Sequence, residues 1–347
     1  MRRPLLIGLI AGALVFVALV VVGVLVTLSL IDRQNADADH RSATTHLTNA
    51  VETSEAAVAE ADQVLSLATD PLLAGDALTA VATERDAATG SLAEAQSLLG
   101  TDPEPLDTEQ LRDLTADLRA AAREVGDDVD PVVAALDELV TVTQAAAPAV
   151  EAANFDAENA PHIAFRTAVA DLGSVPDDAV AEYLVSYLDA AHALEASHAE
   201  EIAEKAGPLL DRRLVVQAFA RSLAGGVLLD FDWAMTVNGY GTGGSYGGTS
   251  YWSSADGGSA TITLSDSVAT MWPAAGVQSL VAHEVGHAVL ARTDCNALFF
   301  DSEYAAGGEE PWATAWAIGL GYTAEGNGES IYGRPADGLI QLTTQCR

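Results

Sequence analysis

His283-Glu284-Val285-Gly286-His287 is the segment of this chain whose residue types and spacing carry chemistry. Residues i and i+4 of a helix stand one above the other, so the imidazoles of His283 and His287 can converge on one metal ion. Glu284 follows the first histidine and points beside such an ion, where it can take a proton from a bound water. The stretch from Gly276 to Leu290 has the apolar spacing of a helix. The bland alternative is an amphipathic helix carrying two incidental histidines. His192 and His198 are six residues apart and point in directions about 120° apart on a helix, so they do not chelate together. They are read as surface residues, as are His40, His46 and His162.

The elements that must position this helix are legible in outline. After Gly225-Gly226, residues Val227, Leu229, Phe231, Trp233, Met235 and Val237 alternate with mostly polar or small ones, the pattern of a half-buried strand. Thr249–Ser254, a turn at Ala255-Asp256-Gly257-Gly258, and Ser259–Leu264 read as a hairpin with Ala260, Ile262 and Leu264 on one face. A small antiparallel sheet covered by helices is expected. The loop Gly239-Tyr240-Gly241-Thr242-Gly243-Gly244 satisfies G-x-G-x-x-G, but Ser245, Tyr246, Gly247 and Gly248 follow rather than a helix. A phosphate loop needs a helix N-terminus at the phosphate, so this is read as a mobile, tyrosine-bearing loop.

From about residue 40 to 224 the chain is rich in Ala, Leu, Val, Asp and Glu, and reads as an extended helical bundle. Asp107-Thr108-Glu109-Gln110 opens a helix with Leu111, Leu114, Leu118 and Val125 on one face, ended by Gly126. Asp130-Pro131 reads as the start of the next, and Ser174-Val175-Pro176-Asp177 opens a third with Val180, Leu184, Leu188 and Ala191 apolar.

Leu5 to Ile31 forms 27 uncharged residues. As a helix it spans roughly 40 Å, more than the ~30 Å hydrocarbon core and longer than a usual signal-peptide apolar region. An uncleaved membrane anchor is expected. Arg2 and Arg3 precede it and a strongly acidic sequence follows, placing the N-terminus in the cytoplasm and the bulk outside. The alternative is secretion after cleavage near Ala38, because Ala36-Asp37-Ala38 is an A-x-A-like site. Gly8 and Gly12 form a G-x-x-x-G pair that permits helix pairing, and oligomeric state stays open. In an oxidising exterior Cys295 and Cys346 are read as a disulfide. The formal charge of −34 excludes a generic binder of nucleic acid or anionic lipid, which needs a basic surface.

Strand hairpin, then His283-Glu284-x-x-His287 on a helix, then an acidic segment: residues 226–347 resemble the zincin metallopeptidases. The resemblance implies a Zn2+ ion held by His283 and His287, a water activated by Glu284, and a strand around Thr261–Leu264 bordering a cleft that pairs with an extended peptide. Metzincins carry Gly and His where this chain has Leu290 and Thr293, so that class is excluded. Gluzincins supply a glutamate from a second helix. Glu310, 23 residues after His287 and three before Ala313, fits their Glu-x-x-Ala form. Glu309 is the alternative, with Glu303, Asp301, Asp294 or no protein ligand left open. Two departures stand out: Thr314 replaces the Asp that often buttresses a histidine, and Pro311 puts Glu310 at the very start of its helix. No spacing distinguishes Tyr304, Tyr322 and Tyr332 as the oxyanion donor.

The expected organisation is α+β: residues 1–31 as cytoplasmic tip and anchor, 32–224 as the acidic helical region, and 225–347 as a zincin-like domain. The function expected is a membrane-anchored, outward-facing zinc metallopeptidase acting on a peptide or protein. The alternative is a non-catalytic surface binding or scaffold protein with a degenerate zincin-like head.

Overall fold

The computed structural model describes residues 3–347; side chains are described from Phe16 onward, Asp256 excepted. Arg2 lies outside the described residues, and so do the side chains at Arg3 and the Gly8/Gly12 pair. The chain is mostly helical with one three-stranded sheet, an α+β composition. Its elements are α1 (Arg3–Ser66), α2 (Gly75–Leu99), α3 (Thr108–Asp127), α4 (Val129–Ala153), α5 (Asn159–Leu172), α6 (Val180–Glu204) and α7 (Leu210–Leu223), followed by β1 (Leu228–Ala234), β2 (Gly248–Ser253) and β3 (Ser259–Ser265). Then come α8 (Asp266–Met271), α9 (Ala275–Ala288), α10 (Thr293–Phe300), α11 (Glu309–Gly319), α12 (Glu329–Tyr332) and α13 (Asp337–Thr343).

Two compact units result: residues 1–145 with 172–185, and residues 146–171 with 186–347. The change from helix to strand near residue 225 is present, while packing joins α5, α7 and most of α6 to the sheet.

In the first unit α1, α2 and α3 share a core of Ala43, Leu47, Val51, Leu92, Leu114, Leu118 and Val125. The start of α3 follows its sequence signal. Asp107 accepts the backbone N–H groups of Glu109 and Gln110, and the Gln110 side chain accepts from Asp107 N–H, which satisfies donors left free at a helix start. The other two helix starts differ from expectation: α4 begins at Val129, one residue before Asp130, and α6 begins at Val180, after a turn through residues 176–179. The first part of α1 is an apolar helix whose side chains from Phe16 to Ile31 are exposed, with a mean hydropathy of 2.2 in its most apolar stretch. Length and composition suit a membrane anchor or a signal sequence. The apolar residues of α3 and α4, among them Leu118, Val125, Leu136 and Leu139, are buried instead.

In the second unit the sheet is mixed, which corrects the antiparallel expectation. The order is β1-β3-β2: β2 and β3 form the expected hairpin, and β1 pairs with β3 in parallel, Phe231 opposite Ile262. The hairpin turn dictates the first pairing. The direction of β1 depends on the 13-residue connection that lets β3 insert between β1 and β2, which alternation along a strand does not encode. Leu229, Phe231, Ala260, Ile262 and Leu264 are buried in one core with Val277, Val281 and Val285 of α9 and with Trp312 and Trp316 of α11. Every residue from Val281 to Ala288 is buried, so α9 is a central helix rather than an amphipathic surface one. Cys295 and Cys346 form a disulfide across 51 positions, tying the C-terminus to α10.

Charge is also buried here. The sole lysine, Lys205, pairs with Glu201 and with Asp156, whose carboxylate is fully buried and also receives Arg221 at 3.0 Å. His162, expected on the surface, is buried beside Glu151. Near this cluster, burial pushes the Asp230 carboxyl up to about 6; Glu201 and Asp232 add to the rise, while the Phe231 N–H and Lys205 oppose it. A carboxyl raised in the folded state binds its proton more tightly there than in the unfolded chain, so its ionisation subtracts stability as pH climbs from about 4 through about 6. Asp230→Asn is therefore expected to stabilise the chain, with the gain growing by about 1 kcal/mol between pH 5 and pH 7.5. Thermal unfolding midpoints of both chains at the two pH values check this; a gain that shrinks with rising pH would contradict it.

Candidate metal centre

The site is built where α9 and α11 touch. Gly286, the small residue between Glu284 and His287, makes that approach possible: a Cβ there would lie 2.8 Å from Ala313 Cα. Trp312 Nε1 donates to the Gly286 carbonyl at 2.9 Å and locks the two helices in register. The alanine of Glu-x-x-Ala is thus a packing requirement, because Ala313 faces Gly286.

This contact brings Glu310 over the two histidines. Its Oε2 lies 3.1 Å from His283 Nε2 and 3.3 Å from His287 Nε2. One ligand atom from each of the three residues falls within 4.8 Å of the others, a group that can hold a metal ion. Glu310 does so from the second residue of α11, just before Pro311, so a place at the helix start does not prevent it from reaching the histidines. Burial works to raise its carboxyl, but hydrogen bonds from His283 and His287 outweigh that and hold it well below the ordinary carboxylate range.

The imidazoles are oriented from behind. His283 Nδ1 lies 3.0 Å from the Asn327 carbonyl, which only accepts, so Nδ1 carries a proton and Nε2 is the nitrogen that would offer a lone pair to a metal on giving up its own proton. Thr314, at the position where an Asp often buttresses a histidine, stands 3.5 Å from the same Nδ1. The Asn327 carbonyl, rather than a carboxylate, supports this ring. Close packing enforces it: at Gly328, with φ of +92°, a Cβ would sit 2.8 Å from His283 Nδ1. Glu309 takes a different part. Its Oε2 accepts from Trp252 Nε1 at 2.9 Å and lies 3.9 Å from His287 Nδ1, so it faces the rear of that ring. Asp294 is engaged by Arg292 at 2.7 Å, outside the group.

Glu284 is buried beside the three. Burial pushes its carboxyl up to about 7, His283 opposes the rise and Glu310 adds to it. It lies against β2, where a Cβ at Gly248 would meet Glu284 Oε1 at 2.8 Å. The strand bordering the site is therefore the edge strand β2, not the Thr261–Leu264 strand expected from the sequence. That segment is β3, the central strand, hydrogen-bonded on both sides. Of the three candidate tyrosines, only Tyr332 is brought to the group. Its ring stacks on His283 at 6.0 Å and 7°. Burial and the Glu310 charge raise the Tyr332 hydroxyl above its ordinary value. Tyr322 packs edge-on against Phe219 instead, and Tyr304 lies against Gly338.

A cavity of about 520 Å³ opens beside His283 and Glu284, between the glycine-rich loop 238–248 and residues 325–332. The loop read as mobile is pinned, since the Tyr246 hydroxyl donates to the Glu325 carbonyl at 3.0 Å. Sequence reasoning missed Asn327, which acts through its backbone and leaves no residue-type signal, and it missed Gly328; Gly248 was visible only as the end of the glycine-rich loop.

Comparison with known protein families, curated proteins and solved structures finds no match to this chain.

Proposed function

We propose that the protein is a membrane-anchored, extracytoplasmic zinc metallopeptidase. The observation that carries this reading is the meeting of His283, His287 and Glu310 with the buried carboxyl of Glu284 alongside. Two imidazole nitrogens and one carboxylate oxygen are a donor set that suits Zn2+ and leaves a coordination position open. Bound there, zinc would polarise a scissile carbonyl and make its water acidic. Glu284, buried beside the ligand atoms, would take the proton of the attacking water and pass it to the departing amine. β2, the edge strand beside Glu284, would offer backbone groups to an extended peptide. The Tyr332 hydroxyl, its ring stacked on His283, would donate to developing negative charge.

The exposed apolar start of α1 supports anchoring. Ala36-Asp37-Ala38 lies within that helix with Ala36 buried, which favours an intact anchor over cleavage at this point. Glu284 distinguishes the peptidase from a scaffold with a degenerate head, since holding a metal does not require it.

The test is hydrolysis of unfolded casein by the zinc-loaded full chain in detergent. Cleavage abolished by a chelator and restored by added zinc is expected; absence of cleavage with one zinc per chain bound would favour the scaffold.

A further inference from the structure

Glu325 is one of the residues that line the cavity beside Glu284. The other lining residues include Tyr240, Tyr246, Tyr332, Leu280 and Ile331. Among the described residues that line it there is no lysine or arginine.

The placement of Glu325 is fixed by its backbone. Its carbonyl accepts from Tyr246, and two residues later the Asn327 carbonyl accepts from His283. Between them Gly326 presses on the Gly276 carbonyl, where a Cβ would come within 2.3 Å. A carboxylate on a residue lining this cavity attracts a cation, and tyrosine rings can receive one on their faces. The methylenes of a long basic side chain match the apolar Leu280 and Ile331.

We propose that this cavity receives an arginine or lysine side chain of the bound peptide, and that the enzyme is selective for basic peptides. The proposal rests on the peptidase reading of the metal centre and adds the substrate class. The chain's net charge of −34 acts in the same sense at long range, drawing cationic peptides toward the protein.

Binding is measured on the zinc-loaded full chain carrying Glu284→Gln, so that it is read apart from hydrolysis. Labelled alanine hexapeptides with one Arg, Leu or Glu at each position in turn are titrated by fluorescence anisotropy at physiological salt. The best Arg peptide is expected to bind about tenfold tighter than the best Leu or Glu peptide. Adding Glu325→Gln should remove that preference, and Glu325→Lys should turn it toward the Glu peptide. Equal affinities, no binding, or a preference that survives Glu325→Gln would overturn the proposal; the last would assign selectivity to overall charge. Failure of the unmutated chain to hydrolyse casein would instead overturn the peptidase reading, which these binding data do not depend on.

Discussion

Glu284→Gln is expected to lower peptide hydrolysis by about 10²–10⁴-fold while zinc stays bound at one per chain. The amide keeps the size of the carboxyl, so the contact with Gly248 and the packing of α9 persist. What is lost is a group able to take and return a proton. None of the ligand atoms of the candidate centre belongs to Glu284, so metal content should not change. Casein hydrolysis and elemental mass spectrometry on the same preparations give both quantities. Full activity in this variant would sink the mechanism; loss of zinc would show that Glu284 is a ligand instead.

His283→Ala is expected to bring zinc from near one per chain to near zero. It removes a ligand nitrogen and leaves the Asn327 carbonyl with no imidazole to hold. Glu310→Gln should weaken zinc binding by more than the roughly 10–100-fold typical of an outer partner, because a carboxylate ligand is lost. Glu309→Gln should fall within or below that range, since Glu309 stands behind His287 and is held by Trp252. Zinc affinities by competition with a coloured chelator rank the three. A greater loss in Glu309→Gln than in Glu310→Gln would exchange their roles.

The two glutamates show how far a sequence reaches. Their spacing from His287 and the Glu-x-x-Ala pattern put both forward, and neighbouring positions differ too little along the chain to separate them. The choice falls to helix rotation. With Ala313 seated on Gly286, residue 310 faces the histidines and residue 309 faces Trp252. The support for His283 was out of reach because it comes from a main-chain oxygen 44 positions away, in a glycine-flanked loop whose side chains say nothing about it.

By itself the sequence determined what local geometry dictates. Histidines four apart share a helical face, Asp107 and Gln110 close a helix start, Ala260, Ile262 and Leu264 share a strand face, and an uncharged run makes an apolar helix. Each rests on contacts within a few residues, where backbone periodicity leaves one answer. Only the tertiary structure decided that β1 runs parallel to β3, that β2 is the strand beside Glu284, that α9 is buried on all sides from Val281 to Ala288, and that Tyr332 and Glu325 line the same cavity. These depend on the paths of connecting segments and on which surfaces exclude water together. Such properties of the packed chain are not written in any one stretch of it.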